Sequence, residues 1–426
     1  MMHLNSASPN TVFNKEIAGM DKIDLLELIN KRESSFVEFK ADLEDIKAET
    51  IAEYVVCFAN SKGGTILLGV EDDGTITGLK GRFPEYGTWI SDAVQGWVHP
   101  NIIVDYEEVP VEENLRVAVI TVPMSVAKPY CKRKGKDAKE RYYIRDVTRC
   151  READREELRR LFQSSGVIHF EMTPVPRSIP DDLNDTLLIE YFRQVRNIAY
   201  DDKSKWLRLL MDNQILSEEL GGVNCTLGGL ILFGKKDRIK RLIPQSGITA
   251  VEYDTPDADV AGRHRKEING PLLSLRENSG IVTEEGIIDQ AVNFVLRVRS
   301  KEKIEGTRRV TEYAYPPEVL REAVVNAVAH RDYTIGGTNI GIWLYPDRLE
   351  IDSPGNLPNT ITIERMKSGA RYHRNQMIVD YLRDMEYIEG SGRGVSRKII
   401  RGMIEHNGKE PDFELRGEAL RVTLYA

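Results

Sequence analysis

Glu322 and Asn326 stand four residues apart in the run 318–330, EVLREAVVNAVAH, whose apolar spacing is helical. A carboxylate and an amide then lie one turn apart on one helical face. Such a pair suits phosphoryl chemistry, because the amide can hold a magnesium ion and the carboxylate can orient a water toward a phosphate. The plainer alternative is a helix with polar positions on an apolar stripe. Downstream, two strand-like runs, 339–345 and 348–351, lead into Asp352-Ser-Pro-Gly355. Later, Glu389-Gly-Ser-Gly392-Arg-Gly394 runs directly into an apolar-periodic helix. Glycines let a backbone approach phosphate closely, and a helix start attracts the anion.

Two further sets of residues carry chemistry. Glu33, Glu38 and either Glu71 or Asp72 surround Lys40 in sequence. Acids converging beside a lysine can bind a divalent metal and cleave a phosphodiester. The alternative is that Glu38 and Lys40 pair across a strand face and 71–74 is only a turn. The segment 128–151 holds ten Lys/Arg against three acids, net +7 in a chain whose total is −8. Lys132, Arg133, Lys134, Lys136, Lys139, Arg141 and Arg145 are its candidate phosphate contacts, giving salt-sensitive binding of nucleic acid with little sequence preference. Tyr130, Tyr142 and Tyr143 are interleaved and can stack on unpaired bases; otherwise this is a solvated loop whose tyrosines pack inward.

The elements that must position these groups are legible in part. Asp21 caps a helix over Ile23–Ile29. In 36–40 a period of two puts Val37 and Phe39 on one strand face and Phe36, Glu38 and Lys40 on the other. A helix over 47–60 ends at Gly63-Gly64, and 65–70 is a buried strand followed by a hairpin signal at 71–74. Strands are expected near 102–109, 117–122 and 141–144, and a helix near 153–162. Three prolines in 171–180 suggest a linker. Beyond it, 187–195 and 205–211 are helical, and 230–233 and 248–253 read as strands. Pro316-Pro317 opens the Glu322 helix, and 420–425 is a final strand. The predicted domains are 20–165, 181–300 and 301–426.

With 426 residues, 41% hydrophobic and 30% charged, the chain has the balance of a soluble globular protein of two or three domains. The apolar stretch around 225–233 is far short of the ~20 residues of a membrane helix. No signal peptide is visible, so the expectation is cytoplasmic. The four cysteines are scattered without a C-x-x-C pair, which points to thiols in a reducing compartment. Nothing resembles a P-loop, so a Walker-type helicase motor is not supported.

The order from Glu322 to Gly394 resembles the GHKL ATP-binding fold of gyrase, the heat-shock chaperone, MutL and histidine kinases. That resemblance implies Glu322 as the water-activating base and Asn326 as the Mg2+ ligand. It implies further that Gly392 and Gly394 cradle phosphate, with Gly355 in the preceding turn. Asp352 would meet the adenine amino group, and 359–391 would be a lid on which Arg371, His373 and Arg374 are either phosphate contacts or solvated charges. His330-Arg-Asp-Tyr333 resembles the end of this helix in a GHKL subfamily, with His330 structural or orienting. Glu33–Lys40 together with 59–74, ANSKGGTILLGVEDDG, resembles the Schlafen AlbA-like domain, often described as a divergent AAA module. In nuclease-competent Schlafens, acids of this kind form a metal site, here Glu33, Glu38 and Asp72. The two domains together resemble a large prokaryotic family labelled RecG-related or transcriptional regulator.

The fold class implied is α+β: a Schlafen AlbA-like domain, an α/β middle and a GHKL (Bergerat-like) α/β sandwich. The leading expectation is an ATP- and Mg2+-binding, nucleic-acid-binding regulatory protein, homodimeric and off the membrane. The rivals are a metal-dependent nuclease and a nucleotide-sensing protein-interaction module.

Overall fold

A computed structural model describes residues 20–43, 46–81, 83, 85–125, 127–135, 138–164, 169–200, 202–219, 222–256, 262–276, 282–305, 308–357, 361–370, 373–388 and 394–426. Lys136, Arg371 and Gly392, all named above, fall outside them. The chain forms two compact units, residues 1–165 and 166–426.

In the first unit the alternation at Val37–Lys40 makes a strand that pairs in parallel with Gly64–Leu68, the helix Ala48–Asn60 crossing between them. Leu115–Val122 and Asp105–Glu112 extend the sheet antiparallel. Ile51, Val55 and Phe58 of the crossing helix pack with Ile66 and Ile120 on one sheet face. On the other, Leu25 and Ile29 of the helix Lys22–Asn30, capped by Asp21, pack with Val37, Phe39 and Leu67. Gly63 ends the crossing at φ +77, where a Cβ would lie 2.8 Å from the Val122 carbonyl oxygen. The turn therefore requires glycine. Burying two sheet faces under helices is what brings Glu38, on the crossing-helix side, out of water.

The second unit is built on a six-stranded sheet in the order His264–Ile268, Ile248–Glu252, Ile340–Leu344, Arg348–Pro354, Ala419–Tyr425, Asp412–Arg416. Ile248–Glu252 and Ile340–Leu344 pair in parallel. The border expected near residue 300 thus runs through one sheet, and the expected middle and C-terminal domains share a single core from Val175 to Leu424. Two other expectations fail here. The run 230–233 is helical, in Leu227–Phe233, with Thr226 Oγ1 accepting the Gly229 amide at 3.0 Å as the cap. The proline-bearing 171–180 is packed chain and not a spacer: Glu171 is fully buried and accepts the Met377 amide at 3.3 Å, and Val175 bonds Cys225 at 2.8 Å.

No helix among the described residues is long and apolar enough to cross a membrane.

Candidate nucleotide cavity and basic surface

Pro316 and Pro317 open the helix Pro317–Ala329, which lies against the strand Arg348–Pro354. As the spacing predicts, Glu322 and Asn326 stack on it, Asn326 Nδ2 donating to Glu322 Oε1 at 3.1 Å. Among the described residues no hydrogen bond reaches the Asn326 side-chain oxygen. Both residues line a cavity of about 240 Å3. Its lining includes the polar side chains of Glu322, Asn326, His330, His373, Arg397 and Lys398 and the apolar ones of Ile351, Met366, Phe413 and Val422.

Gly394 and the residues up to Ile399 also line this cavity. Gly394–Ile400 is π-helical and runs on into the helix Arg401–Asn407. Gly394 is pressed so closely onto Glu322 that a Cβ would fall 1.7 Å from Oε1. Lys398, one turn on, places Nζ 3.6 Å from Glu322 Oε2. Lys398 is a site residue that the sequence reading missed. Its only signal was a cation in the first turns after the glycines.

Two expected contacts lie elsewhere. Asp352 accepts Arg421 Nε and Nη2, each at 2.7 Å, and Trp343 Nε1 at 2.8 Å. Side chains alternate along a strand, so Ile351 and Ser353 face the cavity and Asp352 faces away from it. Arg374 is buried, with Nη1 2.7 Å from Asp332 Oδ2 and Nη2 on the Asn356 carbonyl. It holds the turn and does not line the cavity. Gly355, at φ +119, has room for no side chain, because a Cβ would meet Arg374 Nη1 at 2.5 Å.

The tetrad that ends the helix is structural in three of its four members. Buried Arg331 donates to the Ile335 and Thr338 carbonyls at 3.1 and 2.9 Å, Asp332 pairs with Arg374, and Tyr333 donates to Val328 O at 3.1 Å. His330 lines the cavity, stacked on His373 with centroids 5.8 Å apart. Burial, with His373 and Arg374 nearby, pushes its pKa down to about 4, so the ring is neutral at pH 7.

In the first unit, Glu33, Glu38 and Asp72 do come near one another, and burial together with Glu38 raises the Glu33 carboxyl above its ordinary range. Glu38, however, is already paired with two cations. Lys40 Nζ lies 2.6 Å from Oε1 and Arg145 Nη1 bonds Oε2. Among the described residues no three His, Cys, Asp or Glu side chains form a group able to hold a metal ion. Glu38 and Asp72 are therefore not a preformed metal set, and the plainer alternative, Glu38 paired with Lys40, is what the fold contains.

The basic segment also divides. The Arg145 side chain is buried, donating to Ser34 O and Val37 O at 2.7 and 2.9 Å besides Glu38. Lys132 is buried between Glu49 and Glu53, at 3.1 and 2.7 Å. Arg133 pairs with Glu140 at 3.1 Å. Exposed are Lys134, Lys139 and Arg141. Tyr130 and Tyr143 are buried, and half-buried Tyr142 packs edge-on to Phe162, so the tyrosines pack inward and do not present faces to bases. The half-exposed aromatic beside the cations is Trp97, with Lys134 Nζ 5.1 Å from its ring centre. Asn60 of the ANSKGG motif fixes this segment. Its amide donates to Tyr130 O and Tyr143 O at 2.8 and 2.9 Å and accepts Tyr130 N at 2.7 Å.

Two family models match parts of the chain, one within each unit. Residues 33–154 match the family model "Schlafen, AlbA_2", and residues 337–424 match the model described as "Putative ATP-dependent DNA helicase recG C-terminal". The chain is a mixed helix-and-sheet protein that joins a Schlafen AlbA_2 domain to an ATPase-like domain. Glu322 and Asn326 precede the second matched segment, and the fold brings them onto it.

Among solved structures, the DIP2311 protein of Corynebacterium diphtheriae is 22% identical, covering 92% of this chain and 75% of that one, with a TM-score of 0.43. The N-terminal domain of a RecG-related protein of Nitrosomonas europaea is 24% identical over 29% of this chain and 88% of that one, with a TM-score of 0.22. No curated protein matches the chain.

Proposed function

We propose that this is a cytoplasmic, ATP-binding, nucleic-acid-binding regulatory protein whose nucleotide occupies the cavity of the second unit. The observation that carries the reading is the carboxylate–amide pair Glu322–Asn326 on the wall of a cavity whose lining also supplies apolar side chains against which a purine can pack. Asn326 has an amide oxygen available to a magnesium ion, which when bound would neutralise phosphate charge. Glu322 orients the attacking water and accepts its proton. His330, neutral, keeps its ring stacked on His373 at the cavity wall.

Nucleic acid is taken on the exposed cations Lys134, Lys139 and Arg141 beside Trp97, in the register of phosphate neutralisation and stacking. Regulation, with nucleotide occupancy controlling the Schlafen-like domain, and a homodimer rest on the resemblance alone. The test is binding of labelled ATP with and without magnesium. Glu322→Ala retains binding and loses turnover; if the unaltered chain binds no adenine nucleotide, the reading is wrong. For the surface, neutralising Lys134, Lys139 and Arg141 together lowers the salt slope of nucleic-acid binding by about 2–3. An unchanged slope removes that surface from the proposal.

A further inference from the structure

Lys398 sits where two demands meet. Its side chain lines the cavity, and its ammonium lies 3.6 Å from Glu322 Oε2, while Asn326 holds Oε1 at 3.1 Å. The segment that carries it is pressed onto Glu322 at Gly394 and follows the glycine run directly. The cation expected to meet phosphate, Arg374, is committed to Asp332 and lies outside the cavity. Among the described lining residues the permanent cations are Arg397 and Lys398, and of these Lys398 faces the carboxylate. A lysine is a mobile point charge on a four-carbon stem. It can exchange one anionic partner for another without moving the backbone.

We propose that Lys398 is the polyphosphate-binding cation of this cavity and that, while no phosphate is present, Glu322 holds it. Phosphate and Glu322 compete for one ammonium. Filling the cavity with a polyphosphate draws Lys398 off Glu322 and leaves that carboxylate to the attacking water. The proposal rests on the nucleotide reading of the cavity and adds to it a latch that couples occupancy to release of the base.

The test is equilibrium binding to the full chain of ATP, AMP and inorganic tripolyphosphate, with magnesium. Lys398→Met should weaken ATP and tripolyphosphate about ten- to a hundredfold and AMP by less than about threefold, the loss expected of a charge-assisted contact to the distal phosphates. Lys398→Arg should restore most of the affinity, which a misfolded variant would not. Glu322→Gln removes the competitor and should tighten tripolyphosphate several-fold. In the Lys398→Met background the same change should do nothing, a coupling read from the double-mutant cycle. Equal binding by Lys398→Met, or no tightening in Glu322→Gln, overturns the latch. Binding of tripolyphosphate without any nucleotide would sink the proposed function while leaving the latch standing; binding of neither sinks both.

Discussion

Replacing Arg145 by alanine should unfold the first unit at a lower temperature and leave its exposed basic surface, the proposed nucleic-acid contact, intact until it melts. The guanidinium is 1% exposed and the Glu38 carboxylate it meets is 5% exposed. It also satisfies two backbone carbonyls, Ser34 O and Val37 O, and lies over the Phe58 ring at 5.0 Å. Removing one partner of a buried ion pair costs about 3–5 kcal/mol, chiefly because the other charge stays buried. Lys40, 2.6 Å from Glu38 Oε1, remains and keeps the loss near the lower figure. For a unit of this size about 3 kcal/mol corresponds to roughly 6–12 °C in Tm. Calorimetry on the full chain reads the shift, and peptide-level hydrogen exchange over Ala48–Asn60 assigns it to the first unit. The double change Glu38→Gln, Arg145→Met should recover much of it, since neither charge is then left alone. An unshifted Tm combined with a lower salt slope for nucleic acid would make Arg145 a phosphate contact and refute the argument.

Other outcomes follow from the same geometry. Asp352→Asn should leave ATP affinity within about twofold, because the side chain is on the far face of the sheet, and lower stability by about 1–2 kcal/mol through Arg421; titration and urea unfolding of one sample check both. Gly394→Ala puts a methyl on Glu322 and must shift the segment, so turnover should fall roughly a hundredfold, measured as phosphate release. His330 has a folded pKa below its ordinary 6.5. Its contribution is therefore fully present above about 6.5 and is lost as pH falls toward about 4, where the unfolded chain takes the proton first. The urea midpoint of the second unit should drop between pH 7 and pH 5, and His330→Asn should flatten that drop.

Some of this was readable in residue order because the physics is local. The four-residue step between Glu322 and Asn326 is one helical turn wherever the helix lies, and Pro316-Pro317 can only begin one. Val37 and Phe39 share a face because strands alternate, and Gly63 breaks the crossing helix because its φ is positive. The apolar run 230–233 has no period within four residues, so strand and helix cannot be told apart there, and the Thr226 cap decided for helix.

What the chain alone determined is the set of candidate groups and their nearest-neighbour spacing, together with the two domain signatures. Which charges are spent and which are offered was decided only by the tertiary fold. Lys132 and Arg145 look like Lys134 and Arg141 in a string of letters, yet two are paired with glutamates and buried while two are exposed. Asp352 and Ser353 are neighbours in sequence, but pleating turns one from the cavity and the other toward it. Lys398 meets Glu322 across 76 positions of chain. Burial and ion pairing are set by residues distant in sequence, and no local period reports them.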